Sequence, residues 1–216
     1  MLDEALEDLS GFVSKFADDT KVGRVVDTTA DSEALQSILN HLMDWADRWQ
    51  MQFNGDKCKV IHFGKNNPRK VYTMGGHAPA GVVLEEVKVE KNVGVMISDD
   101  LKPSIQCNTA AKKANVILGE MARSFTYRDK TVWLRLYKTY IRPHIEYAVQ
   151  AWSPWTQQDI KVLEEVQQQA VRMVSGHHSQ TYQGRLLELG MMTLEERRVR
   201  GDMLRTWKIL HGHDNV

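Results

Sequence analysis

Cysteine is nearly missing from this 216-residue chain: Cys58 and Cys107 are its only two, far apart and outside any CxxC context. That excludes a disulfide framework and a cysteine-based zinc site. No apolar run approaches the roughly 20 residues that a membrane span needs. The opening Met1-Leu2-Asp3-Glu4 is acidic where a secretory leader would be basic. An intracellular protein of the nucleus or cytoplasm, not secreted and with no membrane partner, is therefore expected. Internal repeats and low-complexity tracts are absent too, and His177-His178 and His211-Gly212-His213 lack partner ligands at metal-binding spacing. They read as loop and tail residues.

Net charge is also missing, with 28 Lys and Arg against 28 Asp and Glu. The balance hides a division. Residues 1–100 hold 11 Lys and Arg against 17 Asp and Glu, whereas residues 101–216 hold 17 against 11. The second half is the one suited to polyanions. What the chain does have is ordinary for a globular protein: 42% hydrophobic and 26% charged residues in 24.8 kDa, enough for one domain or two small ones.

The first half is β-rich around one helix. Two short extended runs, Gly11 to Ala17 and Thr20 to Val26, flank Asp18-Asp19 and predict a hairpin with both acids at its tip. Acid pairs at turns are commonly only solvated, so this pair gains meaning only from the motifs downstream of it. Asp31 and Ser32 offer an N-cap, and Leu35, Ile38, Leu42, Trp45 and Trp49 recur at helical spacing, predicting a helix from Ser32 to Gln52 ended by Asn54-Gly55-Asp56. The run Lys57 to Phe63 predicts a strand lying against the hairpin in one antiparallel sheet, which would bring Lys57 or Lys59 toward the acids. Extended pieces come next at Val71–Met74 and Val82–Val89, the loop Gly75 to Pro79 lying between them. Asn92 to Ile97 predicts a further strand in which Gly94 permits close approach.

The second half is helical. Pro103 opens a helix with Ile105, Ala110, Ala114, Ile117, Met121 and Phe125 on one stripe. Asp129 caps another through Val132, Leu136, Tyr140 and Ile141, which Pro143 breaks or kinks before a segment from His144 to Trp152. Thr156 with Asp159 starts a third long helix that Gly176 stops, and Thr193 with Glu196 forms a capping box for the last.

Four stretches in this order resemble the reverse transcriptases of non-LTR retrotransposons, especially the CR1-like group. They are Phe16-Ala17-Asp18-Asp19; Asp56-Lys57-Cys58-Lys59-Val60-Ile61-His62-Phe63-Gly64; Glu90-Lys91-Asn92-Val93-Gly94-Val95; and Ile141-Arg142-Pro143-His144-Ile145-Glu146-Tyr147-Ala148-Val149-Gln150-Ala151-Trp152-Ser153-Pro154. The resemblance covers essentially the whole chain. It implies an α+β fold: part of a polymerase palm over residues 1–100 (catalytic hairpin, helix and antiparallel strands), then an all-helical thumb and C-terminal region over 101–216.

The resemblance also implies chemistry. Nucleotidyl transfer uses two Mg²⁺ ions about 3.5–4 Å apart to stabilise the attacking and leaving oxygens, held by carboxylates. Asp18 would be the principal metal ligand, with Asp19 as supporting acid and Lys57, or alternatively Lys59, acting at the leaving pyrophosphate. Val93, Gly94 and Val95 would brace the primer, and the basic helical half, with Lys112 and Lys113, would track the phosphates of an RNA–DNA hybrid. RNA template and DNA primer are the implied partners, together with a separately encoded palm and fingers half. In the family a further metal-binding aspartate lies upstream of the hairpin motif, which only residues 1–10 precede, so the chain alone is expected to be inactive. The alternative is a non-enzymatic nucleic-acid-binding or protein-interaction module derived from a mobile element.

Overall fold

The computed structural model describes residues 11–17, 19–75, 81–176 and 181–213. The readings of residues 1–10, Asp18, Gly76 to Pro79, His177 and His178 thus lie outside the described residues. The chain divides into two compact units, Met1–Glu90 and Lys91–Val216.

In the first unit, β1 (Phe12–Phe16) and β2 (Asp19–Gly23) form an antiparallel hairpin in the register Phe12↔Gly23 to Phe16↔Asp19. Strand alternation sends Val13 and Val22 to one face, where they pack around Ile38 and Leu42 of α1 (Thr29–Arg48). Phe12 and Phe16 point the other way and are exposed. The Phe12 ring lies over Gly23, where an added Cβ would come within 2.4 Å of it.

Helix α1 starts earlier than its sequence suggests. Thr28 is the N-cap: its hydroxyl accepts from Asp31 N at 3.2 Å, and the Asp31 carboxylate accepts from Thr28 N at 2.9 Å. Asp31 is therefore the third helical residue, closing a capping box. The Thr28 hydroxyl holds its carboxyl below the usual range. The helix also ends earlier, at Arg48, leaving Trp49 exposed beyond it. The segment Gly55–Lys57 is a short 3-10 turn.

Four two-residue strands complete the unit: β3 (Lys59–Val60), β4 (Thr73–Met74), β5 (Val82–Val83) and β6 (Glu85–Glu86). Strand β3 pairs parallel with β6, and β4 antiparallel with β5. Among the described residues no strand joins the hairpin, which corrects the expected single antiparallel sheet. The cause lies in α1, which is apolar on two flanks. Leu35 and Leu39 serve both the hairpin cluster and a second cluster of Tyr72, Met74 and Leu84, which also takes in Val60 and Cys58. Gln36 reinforces that second arrangement: its amide donates to Thr73 O at 2.7 Å and accepts from Thr73 N at 3.0 Å, satisfying β4 as a neighbouring strand would.

Strand β7 (Val89–Asn92) carries the chain into the second unit and forms a two-stranded pair with β8 (Val95–Ser98). The expected continuous strand from Asn92 to Ile97 is broken by a turn at Val93 (φ +45°) and Gly94 (φ +84°), both left-handed, with Val95 to Ile97 in β8. Two successive positive φ angles mark the primed turns that match strand twist.

Helices α2 (Ser104–Ser124) and α6 (Gln157–Arg172) are the main packed pair. Between them lie α3 (Lys130–Leu136), α4 (Arg142–Glu146) and α5 (Val149–Trp152). After them come α7 (Tyr182–Leu189) and α8 (Leu194–Leu210). The buried face of α2 is Gln106, Cys107, Ala110, Ala111, Ala114, Leu118 and Met121; of the expected stripe Ala110, Ala114 and Met121 lie on it and Ile117 packs against it, whereas the two ends, Ile105 and Phe125, are exposed. Small alanines at helical spacing allow close approach of a neighbour, which outweighs the larger but misplaced Ile105 and Phe125.

Asp129 caps α3 as expected, accepting from Thr131 N at 2.9 Å and Val132 N at 3.3 Å. The buried side is Trp133, Leu134, Tyr137 and Ile141, with Val132 and Tyr140 exposed. Trp133 donates to Ala170 O at 2.8 Å. The turn Tyr137–Ile141 is a π-helix. Pro143 comes just after it, and having no N–H it leaves the carbonyl four residues back without its α-helical donor. Thr156 with Asp159, and Thr193 with Glu196, cap α6 and α8 as read from sequence.

A polar network closes this core. Tyr137 donates to Gln167 Oε1 at 2.8 Å, and Gln167 Nε2 donates to Tyr182 Oη at 3.0 Å and Met192 O at 2.9 Å. Tyr182 donates to Glu164, whose other oxygen accepts from Leu194 N at 3.0 Å. Burial pushes both tyrosine hydroxyls up, which keeps them protonated donors.

Candidate functional site

The hairpin register pairs Phe16 with Asp19, and Ala17 takes a positive φ of +54° just before the undescribed Asp18. A left-handed alanine costs about 1–2 kcal/mol, strain of the sort that tight functional turns hold. Asp19 is exposed at the start of β2. Mg²⁺ is held through one or two carboxylates completed by water and substrate phosphates. Among the described residues Asp19 supplies one exposed carboxylate, and no group of three His, Cys, Asp or Glu gathers for a metal.

Lys57 closes the 3-10 turn and is exposed. Lys59, in β3, lies 3.4 Å from Glu90. Because β3 pairs with β6 and not with the hairpin, the expected route by which either lysine would reach the acids through a shared sheet is not the one the backbone takes.

The Val93–Gly94 turn is the best-built feature of the candidate site. Tyr147 packs against it, donating to Val93 O at 3.0 Å, while a Cβ at Gly94 would sit 3.1 Å from the Tyr147 ring. Gly94 thus permits the close approach its sequence suggested, and the approaching group is this tyrosine. Val95, immediately after, is buried in the helical core. Tyr147 is held in turn: Trp152 donates to Tyr147 O at 2.9 Å, and Ala148 takes a left-handed φ of +50° to start α5. Next to it Glu146 accepts from Arg197 through both oxygens, at 2.5 and 3.0 Å, and lies 3.5 Å from Arg142. The ion pair raises the Arg197 guanidinium above its ordinary value.

The stretch from Ile141 to Pro154 therefore acts as a brace between the β7–β8 turn and α8. Tyr147, Glu146 and Arg197 are positioning residues that sequence reasoning did not single out. Glu146 and Tyr147 stand within the polymerase-like stretch Ile141–Pro154, which assigned neither of them a role, and Arg197 lies far along the chain from it.

Lys112 and Lys113 are adjacent on α2 and exposed, but they face different surroundings. Lys112 lines an open groove of about 560 Å³ between α2 and α6, shared with Glu165. Lys113 lies near His144, whose imidazole is pushed down by burial and then by that ammonium. The two lysines do not form one cationic face.

The chain is distantly related to the RNA-directed DNA polymerases of mobile elements. It is 26% identical over 175 residues, 76% of its length, to the RNA-directed DNA polymerase from mobile element jockey of Drosophila funebris. It is 20% identical over 168 residues to that of Drosophila melanogaster. The chain spans 18% of the length of these curated relatives. No family model and no solved structure matches it. No helix among the described residues is long and apolar enough to cross a membrane.

Proposed function

We propose that this chain serves RNA-directed DNA synthesis by a non-LTR retrotransposon polymerase as the palm hairpin and thumb of a larger assembly, and that alone it does not extend a primer. The observation that carries this is the similarity to the jockey polymerases over three quarters of the chain. In this reading Asp18 and Asp19 are the carboxylate ligands for Mg²⁺, Lys57 acts on the leaving pyrophosphate, and the Val93–Val95 turn braces the primer strand against Tyr147. Template RNA and primer DNA are the substrates.

The test is extension of a labelled DNA primer on an RNA template with Mg²⁺ by the 216-residue chain. No extension is expected. Template-dependent synthesis that disappears in Asp18→Ala would overturn the inactivity and place the metal site at once.

A second reading, a non-enzymatic nucleic-acid-binding module derived from a mobile element, is favoured by a different observation. The unit from Lys91 onward has its own continuous core, from Val95 through Leu194. Such a unit can bind without any catalytic hairpin. Asp18→Ala and Asp19→Ala chains that bind an RNA–DNA hybrid as tightly as the parent are expected under both readings; loss of binding in these variants counts against the second.

A further inference from the structure

One acid-free, base-bearing stretch of the helical unit lies outside all four polymerase-like motifs for most of its length. From Lys130 to Ile145 the sequence carries Lys130, Arg135, Lys138 and Arg142 and no Asp or Glu. Arg142 is engaged by Glu146. The other three meet on one surface, lining a concavity of about 380 Å³ with Thr131, Leu134 and Thr139. Among the described residues no carboxylate lines it. The nearest acid in sequence, Asp129, is occupied by the backbone N–H groups of Thr131 and Val132. Lys130 is oriented by donating to Glu188 O at 2.6 Å, whereas among the described residues Arg135 and Lys138 are exposed and make no ion pair. The π-helical turn Tyr137–Ile141 continues α3 along this face and carries Lys138 and Thr139, a deviation that recurs at functional sites.

We infer that this concavity is a binding site for the phosphodiester backbone of a nucleic acid, with Lys130, Arg135 and Lys138 as cations and Thr131 and Thr139 as hydroxyl donors. The inference rests on the proposed nucleic-acid role and moves its contact surface from the α2 lysines to α3. The contrast is chemical: the α2 groove is lined by both Lys112 and Glu165, while the charged residues lining the α3 concavity are of one sign. From Lys130 to Lys138 is eight rises of about 1.5 Å, roughly 12 Å. Strand phosphates recur every ~3.4 Å of duplex axis, so three cations over that length fall along about four phosphate steps of one strand. The face reads no bases, so binding there is independent of sequence.

The experiment is anisotropy titration of a labelled RNA–DNA hybrid with the full chain at several KCl concentrations between about 50 and 200 mM. Arg135→Gln/Lys138→Gln is compared with Lys112→Gln/Lys113→Gln, and thermal melts confirm that both fold. Each phosphate contact contributes about 0.9 to the slope of log affinity against log salt. The α3 pair is therefore expected to reduce the slope by about 1.8 and to weaken binding alike for two unrelated sequences. The α2 pair is expected to change it by less than about 0.5, and Arg135→Lys/Lys138→Arg is expected to retain the parental slope.

A parent chain that binds hybrid while the α3 pair leaves the slope unchanged overturns this inference alone. A parent that binds no nucleic acid in any salt overturns the functional reading with it. Binding of phosphatidylserine vesicles without binding of hybrid also overturns it.

Discussion

The Val93–Gly94 turn offers the most direct test of the reasoning, because a β-branched residue there sits in a conformation it disfavours. Val93 has φ +45°, and left-handed backbone costs an L-residue about 1–2 kcal/mol. Asparagine visits that region readily, and Asn-Gly is the preferred pair for a primed hairpin turn. Against this gain stands the lost packing of valine. Val93 is 43% exposed, so with full valine burial worth about 1.5 kcal/mol, the loss is under about 1 kcal/mol. The Tyr147 hydrogen bond goes to the Val93 carbonyl and survives the change.

Val93→Asn should therefore stabilise the second unit by roughly 0.5–1 kcal/mol, raising its melting temperature by about 2–4 °C. Gly94→Ala should do the reverse: it adds the left-handed penalty and a Cβ 3.1 Å from the Tyr147 ring, for a loss of about 2 kcal/mol. Calorimetry of the full chain measures both. A melting temperature lowered by Val93→Asn together with a neutral Gly94→Ala would refute the turn geometry. If the Val93 strain serves primer contact, Val93→Asn gains stability while weakening hybrid binding.

Glu146→Gln removes the carboxylate that joins Arg197 to Arg142. Both partners are partly exposed, so a loss of about 1–3 kcal/mol is expected in urea denaturation; an unchanged midpoint would show that the brace is idle. Tyr137→Phe leaves Gln167 Oε1 without the Tyr137 donor, costing about 1–3 kcal/mol, and Gln167→Leu added to it should recover part of that loss in the same assay. Asp100 has its carboxyl held at about 2 by the Ser98 hydroxyl and Lys102 N–H. A lowered folded value stabilises the fold above the ordinary carboxylate range, an effect lost as pH falls through about 2, so Asp100→Asn should flatten the acid limb of the stability profile between about pH 4 and 2. Cys107 is buried, with its thiol pushed up to about 12 first by burial and then by Asp159. It should react with a thiol reagent only as fast as the unit opens, and reaction at the rate of a free thiol would contradict its burial.

The sequence by itself determined the local punctuation of this protein. Asp129, Thr156 and Thr193 with Glu196 cap the helices they were expected to cap, because a side-chain oxygen and an N–H two or three residues away need no distant partner. The two strands around Asp18-Asp19 were legible for the same reason, being a pairing of near neighbours. Relatedness to mobile-element polymerases was legible too, since ordered motifs survive in sequence whatever their packing.

Tertiary structure decided which faces are used. The burial of the alanine face of α2 over Ile105, and of Trp133 and Tyr137 over Val132 and Tyr140, depends on which neighbour arrives and how close it comes. Strand β3 left the hairpin for β6 because α1 has two apolar flanks, and residue types alone do not choose between them. Glu146 met Arg197 across 51 residues of chain, and Lys130, Arg135 and Lys138 line one surface along α3 and the π turn that continues it. Local hydrogen bonds are fixed by chain spacing, whereas pairings between elements are selected by packing, and the residues proposed here to hold primer and phosphates belong to the second kind.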